Sequence, residues 1–161
     1  MVGDVALRPA REGDAQDLFG LIALCFAAYP GCYVDPHDDL PDLVSPTSSY
    51  AADGCGFWVV EDGNGRVGAC IALDHPDPGL AELRRLYVRP DLRRRGLAAR
   101  LVAHAEHHAR HHGATAMLAW SDTRFASAHR LYLRLGYSQG TEARVLVDIS
   151  HSREYRFDKR L

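Results

Sequence analysis

The chain is 161 residues long, with 47% hydrophobic and 25% charged residues and a formal net charge of −2 at pH 7. These values are typical of one globular domain covering residues 1–161, and they exclude a wholly disordered chain. The slightly acidic balance disfavours nucleic acid as a partner, because phosphate backbones attract surplus positive charge. The chain has no apolar run of about 18 residues, and acidic residues begin near its N-terminus. We therefore expect no membrane span and no secretory signal, and we predict a cytoplasmic protein.

The first third of the chain predicts a strand, a helix and a long loop. Residues 5–9 favour a short strand, and Asp14 is a candidate N-cap for the helix that follows. Apolar residues then recur at steps of three and four, which places them on one buried helix face: Leu18, Leu21, Ile22, Cys25 and Phe26. Prolines and acids interrupt residues 29–56, which predicts a long loop with a short helix near residues 39–44.

The rest of the chain predicts strands and helices in alternation. Residues 57–61, 66–73 and 80–88 favour an antiparallel meander, with a hairpin signal at residues 62–65. The later elements are a helix at 96–112, a strand at 114–121, a helix at 124–135 and strands at 141–149 and 154–159. The strand–helix–strand unit at 83–120 should be a parallel, right-handed crossover. The predicted fold is α/β, with a mixed, mostly antiparallel central sheet of about six to seven strands and flanking helices.

A basic loop joins the third strand of the meander to the helix at 96–112. Arg93, Arg94 and Arg95 bring positive charge to a helix N-terminus, where unpaired N–H groups already attract anions. Gly96 lets the backbone approach a ligand closely, and the small Ala98 keeps the first turn open. This arrangement suits a pyrophosphate, whereas the alternative is a basic turn before an ordinary helix. The glycine patterns of dinucleotide-binding and nucleoside triphosphate-binding loops are both absent from the sequence.

Two segments of the sequence resemble motifs of the GNAT superfamily of acyl-CoA N-acyltransferases. Residues 86–98, which include Arg93-Arg94-Arg95-Gly96-Leu97-Ala98, resemble motif A, [Q/R]-x-x-G-x-[G/A]. Residues 128–137, Ala-His-Arg-Leu-Tyr-Leu-Arg-Leu-Gly-Tyr, resemble motif B, A-x-x-L-Y-x-x-x-G-[F/Y]. The motif spacing and the order of elements also fit, so the resemblance covers residue 5 to the C-terminus. It implies the GNAT fold and direct transfer of an acetyl group from acetyl-CoA to a primary amine.

The resemblance also implies roles for individual residues. The backbone of the strand end would pair with the pantetheine arm, and the N–H groups of the basic loop would hold the pyrophosphate. The implied cofactor-binding residues are Leu86, Tyr87, Val88, Arg93, Arg94, Arg95, Gly96, Leu97, Ala98 and Ala99. Tyr132 would lie near the thioester sulfur and act as general acid to the departing thiolate. No metal ion is expected.

A candidate general base precedes the basic loop. Strict alternation along a strand places four side chains on one face: Glu82, Arg84, Leu86 and Val88. An amine must be neutral to attack a thioester, although its ordinary pKa is high, about 10.4 for lysine. A carboxylate facing the cleft would accept that proton directly or through water, and Glu82 matches a carboxylate that some GNAT members use in this way. The alternative is that Glu82 only pairs with a nearby arginine.

Several other residues carry weaker expectations. Phe125 stands where several GNAT members have an asparagine that contacts the cofactor, so that contact is not carried over. Asp122 is interpreted as a helix cap, and Trp58 and Trp120 as core residues. The helix at 96–112 carries five histidines, which are interpreted as part of a solvated face: His104, His107, His108, His111 and His112. The alternative is that histidines spaced i, i+4 bind a metal ion in pairs. The four cysteines are expected to be reduced, buried or half-buried thiols rather than nucleophiles.

The sequence indicates the acceptor and the partners less specifically than it indicates the cofactor. In GNAT proteins the loop after the first helix often forms one wall of the acceptor site. Its acidity here would suit a cationic amine, although a solvated surface loop is the alternative: Tyr29, Tyr33, Asp35, His37, Asp38 and Asp39. The acceptor is either a small-molecule amine or a protein amine, and the last two strands offer an edge for a homodimer. The alternative function is a catalytically silent GNAT-fold module that binds CoA as a sensor.

Overall fold

A computed structural model describes residues 5–35 and 39–161. Within these ranges the strands are β1 (Leu7–Pro9), β2 (Gly56–Glu61), β3 (Val67–Asp77), β4 (Leu80–Val88), β5 (Ala116–Asp122), β6 (Ser138–Val145) and β7 (Arg153–Arg160). The α-helices are α1 (Ala15–Phe26), α2 (Pro46–Ser49), α3 (Leu97–His111) and α4 (Ala126–Arg134). Single 3-10 turns cover Glu12–Asp14, Pro41–Leu43 and Pro90–Leu92, the second of them inside the predicted short helix.

The described strands form one seven-stranded sheet in the order β1-β2-β3-β4-β5-β7-β6. Every neighbouring pair is antiparallel except β4 and β5, which are parallel and joined through α3. The predicted mixed, mostly antiparallel sheet with flanking helices is therefore confirmed. The bounds of β4 are those predicted, whereas β3 continues to Asp77 instead of ending at residue 73.

The core consists of two buried clusters on opposite faces of the sheet. One cluster joins α3 and α4 to the sheet and includes Ile71, Leu101, Met117 and Phe157. The other packs α1 and the segment around Leu43 against the opposite face. Side chains along β2 alternate between the two clusters, as the pleat of a strand requires. The apolar face predicted for α1 is buried in the second cluster.

A β-bulge interrupts β4. Arg85 and Leu86 of β4 lie opposite the single residue Ile71 of β3, and Arg85 has a left-handed backbone conformation with a φ of 54°. Leu83 and Val88 lie an odd number of positions apart, which in a regular strand would place their side chains on opposite faces. Both belong to the same core cluster, so the extra residue at the bulge reverses the alternation of side chains along β4. The prediction of one shared face is therefore wrong for the set Glu82, Arg84, Leu86 and Val88.

The two parallel strands separate along their length. Residues 80–83 of β4 pair with residues 116–119 of β5. Beyond this point the two strands, both fully described, have no further pairing, and β5 continues alongside β7 alone. The edge of β4 from Arg84 to Val88 that faces β5 is consequently left open. This gap is the only place where neighbouring strands of the described sheet diverge before both have ended.

The C-terminal hairpin differs from the prediction. β6 begins at Ser138 and ends at Val145, whereas the sequence predicts a strand at 141–149. The apolar alternation that suggested the longer strand belongs to an exposed turn, in which Asp148 accepts a hydrogen bond from the Ser152 N–H at 2.9 Å. In the described part of the chain, the outer side of β6 has no strand partner. The predicted homodimer edge therefore exists as a surface, and the dimer itself stays a prediction.

Two capping and burial predictions have different outcomes. Asp14 does not cap α1: its carboxylate accepts hydrogen bonds from the Arg8 guanidinium at 2.8 and 2.9 Å and from the Arg11 N–H at 2.7 Å. Trp58 is buried in the core, as predicted. No helix in the described ranges is long and apolar enough to span a membrane.

The histidine face of α3 is not uniformly solvated. His104 and His108 pack against the Trp58 ring with centroid separations of 4.8 and 4.9 Å. Their Nε2 atoms are buried and have no hydrogen-bond partner among the described residues. The interpretation as a solvated face is wrong for these two residues, because Trp58 covers them, and it is right for the exposed His107. Within the described ranges, no group of three or more His, Cys, Asp or Glu residues is arranged to hold a metal ion.

Acid is expected to destabilise the fold through His104 and His108. Burial lowers the pKa of both imidazoles, so the unfolded chain binds protons first as the pH falls. Their contribution is complete above the unfolded pKa of about 6.5 and is lost as the pH falls to the lower folded pKa. We expect the free energy of unfolding, measured by urea denaturation, to fall below about pH 6.5. The His104→Gln/His108→Gln double variant should show a smaller fall, and an equal flattening by the exposed His107→Gln would contradict this origin.

Candidate active site

A cleft of about 360 Å³ opens where β4 and β5 separate. Its floor consists of the ends of these two strands, and its walls come from α1, α4, the loop after α1 and the turn between β6 and β7. The residues that line it include Phe26, Tyr33, Asp39, Leu40, Arg84, Arg85, Leu86, Tyr87, Trp120, Phe125, Tyr132, Leu146, Val147 and Glu154. The separation of two parallel strands therefore creates an elongated site that exposes strand backbone along one side.

The predicted pyrophosphate loop has the geometry of an anion site. Arg94 and Gly96 both have left-handed backbones, with φ values of 61° and 74°. The first backbone bond of α3 runs from the Arg100 N–H to the Gly96 carbonyl at 3.0 Å. In the described chain, the N–H groups of residues 94–99 donate to no protein acceptor. No atom lies within 4 Å of the position that a Cβ on Gly96 would take, so this row of donors is open to a bound phosphate.

The three arginines of the loop are used differently. Arg93 donates from Nε to the Val88 carbonyl at 3.0 Å and contacts the Cys25 Sγ at 3.7 Å, which ties the loop to β4 and α1. Arg94 and Arg95 are exposed and make no hydrogen bond or salt bridge to the described residues. The side chain of Leu97 is buried in the core, so this residue offers only its backbone to a ligand, while Ala98 and Ala99 are half-buried.

The predicted pantetheine edge lies along the open part of β4. Leu86 and Tyr87 line the cleft, whereas the Val88 side chain is buried. The Val88 carbonyl is already occupied, because it accepts from Arg93 and from the Cys25 thiol at 3.5 Å. The free edge therefore consists mainly of the residues before Val88, at and after the bulge.

Tyr132 of α4 lines the cleft, and its role as general acid stays a prediction. Its ring packs between Tyr137 and Phe157, with centroid separations of 5.5 and 5.2 Å. Its hydroxyl has no hydrogen-bond partner in the described part of the chain, and burial raises the pKa of Tyr132 above its usual value. The hydroxyl is therefore protonated at neutral pH and available to a ligand. Tyr137, in contrast, donates to the buried Glu106 at 3.0 Å and serves packing, as expected.

Glu82 lies at the closed end of the cleft rather than on its surface. It is half-buried, it is paired in register with Leu118 of β5, and the lining of the cleft begins at the next residue. Burial raises the pKa of Glu82, and the charge of Arg84 opposes this shift. Arg84 forms its salt bridge with Asp74, at 3.7 Å, and Glu82 forms none within the described residues. Glu82 therefore lies next to the cleft but is not one of its lining residues.

The loop after α1 forms part of one end of the cleft, the outer end, and this loop includes part of the predicted acceptor wall. Tyr33 and Asp39 line it, whereas Tyr29 and Asp35 do not, and His37 and Asp38 lie outside the described residues. Trp120 is half-buried and forms another wall, so the interpretation of Trp120 as a core residue is wrong.

Charged groups from the last two strands surround Trp120. The Arg144 guanidinium lies 4.1 Å from the centre of the Trp120 ring and donates to Glu154 at 2.8 Å. Glu154 is thus a carboxylate of the cleft that an arginine holds in place.

The residues before α4 fill the space where the family places an asparagine. Phe125 packs against Phe26 and Tyr29, with ring centroids 5.7 and 4.7 Å apart, and forms an apolar wall of the cleft. Asp122 accepts hydrogen bonds from the Arg124 guanidinium at 2.9 and 2.8 Å and from the Arg124 N–H at 2.8 Å. It therefore fixes the turn before α4 and does not cap the helix, which begins at Ala126.

Sequence reasoning missed one buried network beside the cleft. Arg85 lines the cleft at the bulge of β4 and makes a two-bonded ion pair with Asp42, at 2.7 and 3.0 Å. Tyr50 donates its hydroxyl to the same carboxylate. Arg85 lies 43 residues from Asp42 in the sequence, and no local pattern joins the two.

Comparisons with known proteins identify the family. The sequence pattern of the Acetyltransferase (GNAT) family matches residues 20–137. The chain belongs to the GNAT family of acetyltransferases. It is 35% identical over 124 residues to N-acetyltransferase 8 of Rattus norvegicus, a match that covers 71% of this chain and 54% of that protein. The chain thus spans about half the length of the curated relatives that it matches.

Solved structures show the same GNAT fold. An acetyltransferase from Streptococcus agalactiae superposes with a TM-score of 0.82 at 20% identity, with 99% of each chain covered. An N-acetyltransferase from Thermoplasma acidophilum, solved in complex with coenzyme A, superposes with a TM-score of 0.74 at 17% identity, covering 98% of this chain and 99% of that one. These likenesses confirm the predicted fold.

Proposed function

We propose that this GNAT protein transfers an acetyl group from acetyl-CoA directly to a primary amine. The observation that carries the proposal is the combination of three features. The N–H groups of residues 94–99 donate to no described protein acceptor, the edge of β4 beyond residue 83 is open, and Tyr132 of α4 lines the cleft. These features match the pyrophosphate, the extended amide-containing arm and the thioester sulfur of one elongated ligand.

The residues present fit acetyl-CoA as a cosubstrate. Bound there, it supplies an activated acyl carbon whose bond to sulfur is replaced by a bond to the amine nitrogen. The N–H groups of residues 94–99 would bind the pyrophosphate, and the backbone of Leu86 and Tyr87 would bind the arm. Coenzyme A in the Thermoplasma acidophilum relative supports this choice of ligand. Among the four cysteines, all of them described, Cys32 alone lines the cleft, and burial raises the pKa of its thiol, which favours direct transfer over a cysteine-linked intermediate.

Two protein groups would move protons in this reaction. Glu82 accepts the amine proton through a water, because its carboxylate lies just behind the cleft surface and its pKa is raised by burial. Tyr132 donates a hydrogen bond to sulfur as negative charge develops there and passes its proton as the thiolate leaves. The raised pKa of Tyr132 keeps the hydroxyl protonated until that moment. Backbone N–H groups at the β4 bulge stabilise the negative charge on the carbonyl oxygen.

The acceptor is a primary amine of a small molecule or a protein. Asp39 and Glu154 at the outer end would attract a cationic amine, and Tyr33 and Trp120 would contact its carbon skeleton. The proposal includes a cytoplasmic location, no metal ion and no nucleic-acid partner.

The proposal is tested by thermal unfolding with acetyl-CoA, with desulfo-CoA and ATP as controls. A ligand at 100 times its dissociation constant stabilises a fold by about 2.7 kcal/mol. Acetyl-CoA and desulfo-CoA should both raise the melting temperature, and ATP should not. A panel of amines is then screened by the release of free thiol. A folded protein with no response to acetyl-CoA would overturn the proposal.

A pH profile separates the candidate bases. We expect kcat to fall on the acid side as Glu82 becomes protonated, at a pH above about 4.3, the ordinary pKa of a glutamate, because burial raises its pKa. In Glu82→Gln the acid limb should disappear and the rate at neutral pH should fall about a hundredfold. Glu154→Gln, which removes a cleft carboxylate held by Arg144, should keep the acid limb. Loss of the limb in Glu154→Gln alone would assign the base to Glu154.

The position of Glu82 behind the cleft surface favours one second candidate, a silent module that binds CoA as a sensor. In that case acetyl-CoA would raise the melting temperature, but no amine in the panel would release thiol. The thermal unfolding measurement is therefore expected to give the same result for both functions, and the thiol-release screen distinguishes them.

A further inference from the structure

The bulge of β4 is held by a buried ion pair that the proposed mechanism does not use. Arg85, at the bulge, donates to both carboxylate oxygens of Asp42, at 2.7 and 3.0 Å. The two side chains are only 14% and 15% exposed. Burial opposes the charge on Asp42, but the hydrogen bonds and the charge of Arg85, together with the hydrogen bond from Tyr50, outweigh it and keep the pKa of Asp42 below its usual value. The pair is therefore ionised and charge-assisted at neutral pH.

Hydrogen bonds from Tyr50 and Cys70 also hold the Arg85–Asp42 pair in place. Tyr50 donates its hydroxyl to Asp42, and burial together with that carboxylate raises the pKa of Tyr50, which keeps it a donor. The Arg85 carbonyl, displaced from the strand ladder by the bulge, accepts from the buried Cys70 thiol at 3.1 Å. Both the side chain and the backbone of Arg85 are thus fixed by buried partners.

Arg85 needs such restraint because of its backbone. A φ of 54° is unfavourable for an arginine, and a residue persists there only when its surroundings impose the conformation. The bulge lies on the part of β4 that lines the cleft and is not paired with β5, and it also sets which face Leu86 occupies. The backbone that would contact the acyl group therefore depends on an unfavourable conformation at Arg85.

Arg85 also joins two walls of the cleft. The terminal nitrogen that bonds to Asp42 also donates to the Asp39 carbonyl at 3.1 Å, and both Asp39 and Leu40 line the outer end. One guanidinium thus fixes the bulge of β4 and the loop that faces the acceptor.

We propose that Asp42, backed by Tyr50, is a positioning residue whose ion pair with Arg85 holds the β4 bulge in the conformation required for acyl transfer. This inference rests on the proposed function, in which the bulge presents backbone N–H groups to the acyl carbonyl. Asp42 itself contacts neither substrate. Its effect reaches the reaction through the backbone of residues 85–87.

The test exploits the conformational preference of glycine. Asp42→Asn removes the charge, and Arg85→Ala removes the ion pair that holds the positive φ, so each should lower kcat by about tenfold to a hundredfold. Arg85→Gly also lacks the ion pair but adopts a positive φ without strain. We expect it to recover most of the activity lost in Arg85→Ala, and we expect Asp42→Asn to have little further effect in the Arg85→Gly background. Asp17→Asn is the matched control, because it breaks the exposed Asp17–Arg66 pair.

A binding measurement separates failure of this inference from failure of the proposed function. The affinity for CoA should fall less than kcat in Asp42→Asn and Arg85→Ala, because the pyrophosphate loop is untouched and only the contacts of the arm with residues 86 and 87 are disturbed. The additional affinity for acetyl-CoA over CoA should be lost in both variants and restored in Arg85→Gly, whether or not any amine is acetylated. Calorimetry measures both constants, and circular dichroism checks folding. Equal losses in Arg85→Gly and Arg85→Ala, or an Asp42→Asn variant indistinguishable from wild type, would overturn the proposal. Should Asp42→Asn fail to fold, the comparison of the two Arg85 variants alone decides.

Discussion

Replacement of Tyr132 by phenylalanine is expected to lower the rate of acetyl transfer about a hundredfold while leaving acetyl-CoA bound. The physical reason is that the Tyr132 hydroxyl faces the cleft without a partner among the described residues, so it is free to stabilise the departing sulfur. Loss of a hydroxyl without hydrogen bonds should not reduce stability, because no buried partner is left unsatisfied. Initial rates and the shift in melting temperature with acetyl-CoA measure the two effects separately.

Tyr137→Phe is the matched control for this experiment. Tyr137 lies five positions further along the chain and is also buried, but its hydroxyl donates to Glu106 at 3.0 Å. Its removal should lower the melting temperature and leave kcat unchanged. A Tyr132→Phe enzyme with the wild-type rate would show that Tyr132 only packs against Tyr137 and Phe157.

Replacement of Gly96 by aspartate is expected to weaken acetyl-CoA binding at least a hundredfold. Gly96 lies at the open N-terminus of α3, where an added carboxylate would face the bound pyrophosphate. Two like charges about 4 Å apart repel by about 4 kcal/mol at an effective dielectric constant near 20, which exceeds the cost of a hundredfold loss. Calorimetric titration with acetyl-CoA measures the change.

Gly65 provides a closely matched control for Gly96. Both glycines have left-handed backbones, with φ values of 75° and 74°, and neither has an atom within 4 Å of the place where a Cβ would lie. Gly65→Asp therefore imposes the same backbone strain at the β2–β3 hairpin, away from the loop at 93–99. It should lower stability by a similar amount and keep wild-type affinity. Equal affinities for acetyl-CoA in the two variants would show that the pyrophosphate does not bind at this loop.

The parts of the candidate site whose place in the fold follows from the sequence are local. The basic loop with Gly96 precedes a helix in the sequence, and a helix N-terminus has free N–H groups wherever it occurs. Tyr132 follows from a motif within one short helix. The bounds of β4 and α3 likewise follow from apolar periodicity within each segment.

The parts that the sequence missed depend on contacts between distant segments. The bulge of β4 arises where two residues face Ile71 of another strand, so alternation within β4 alone misassigned the faces. Trp120 lies on a regular strand, but whether its face is covered depends on α1, which packs on β3 and β4 instead. The pairing of Asp42 with Arg85 spans 43 residues and has no local signature.

The short parallel pairing of β4 with β5 also divides the sheet into two halves. Strands β1 to β4 form one antiparallel half and β5 to β7 the other, and each half is held by its own longer ladders. The seam between the halves depends on residues 80–83 and 116–119 and on the crossover through α3. The width of the cleft therefore depends on this short pairing and on the core cluster that packs α3 against both halves of the sheet.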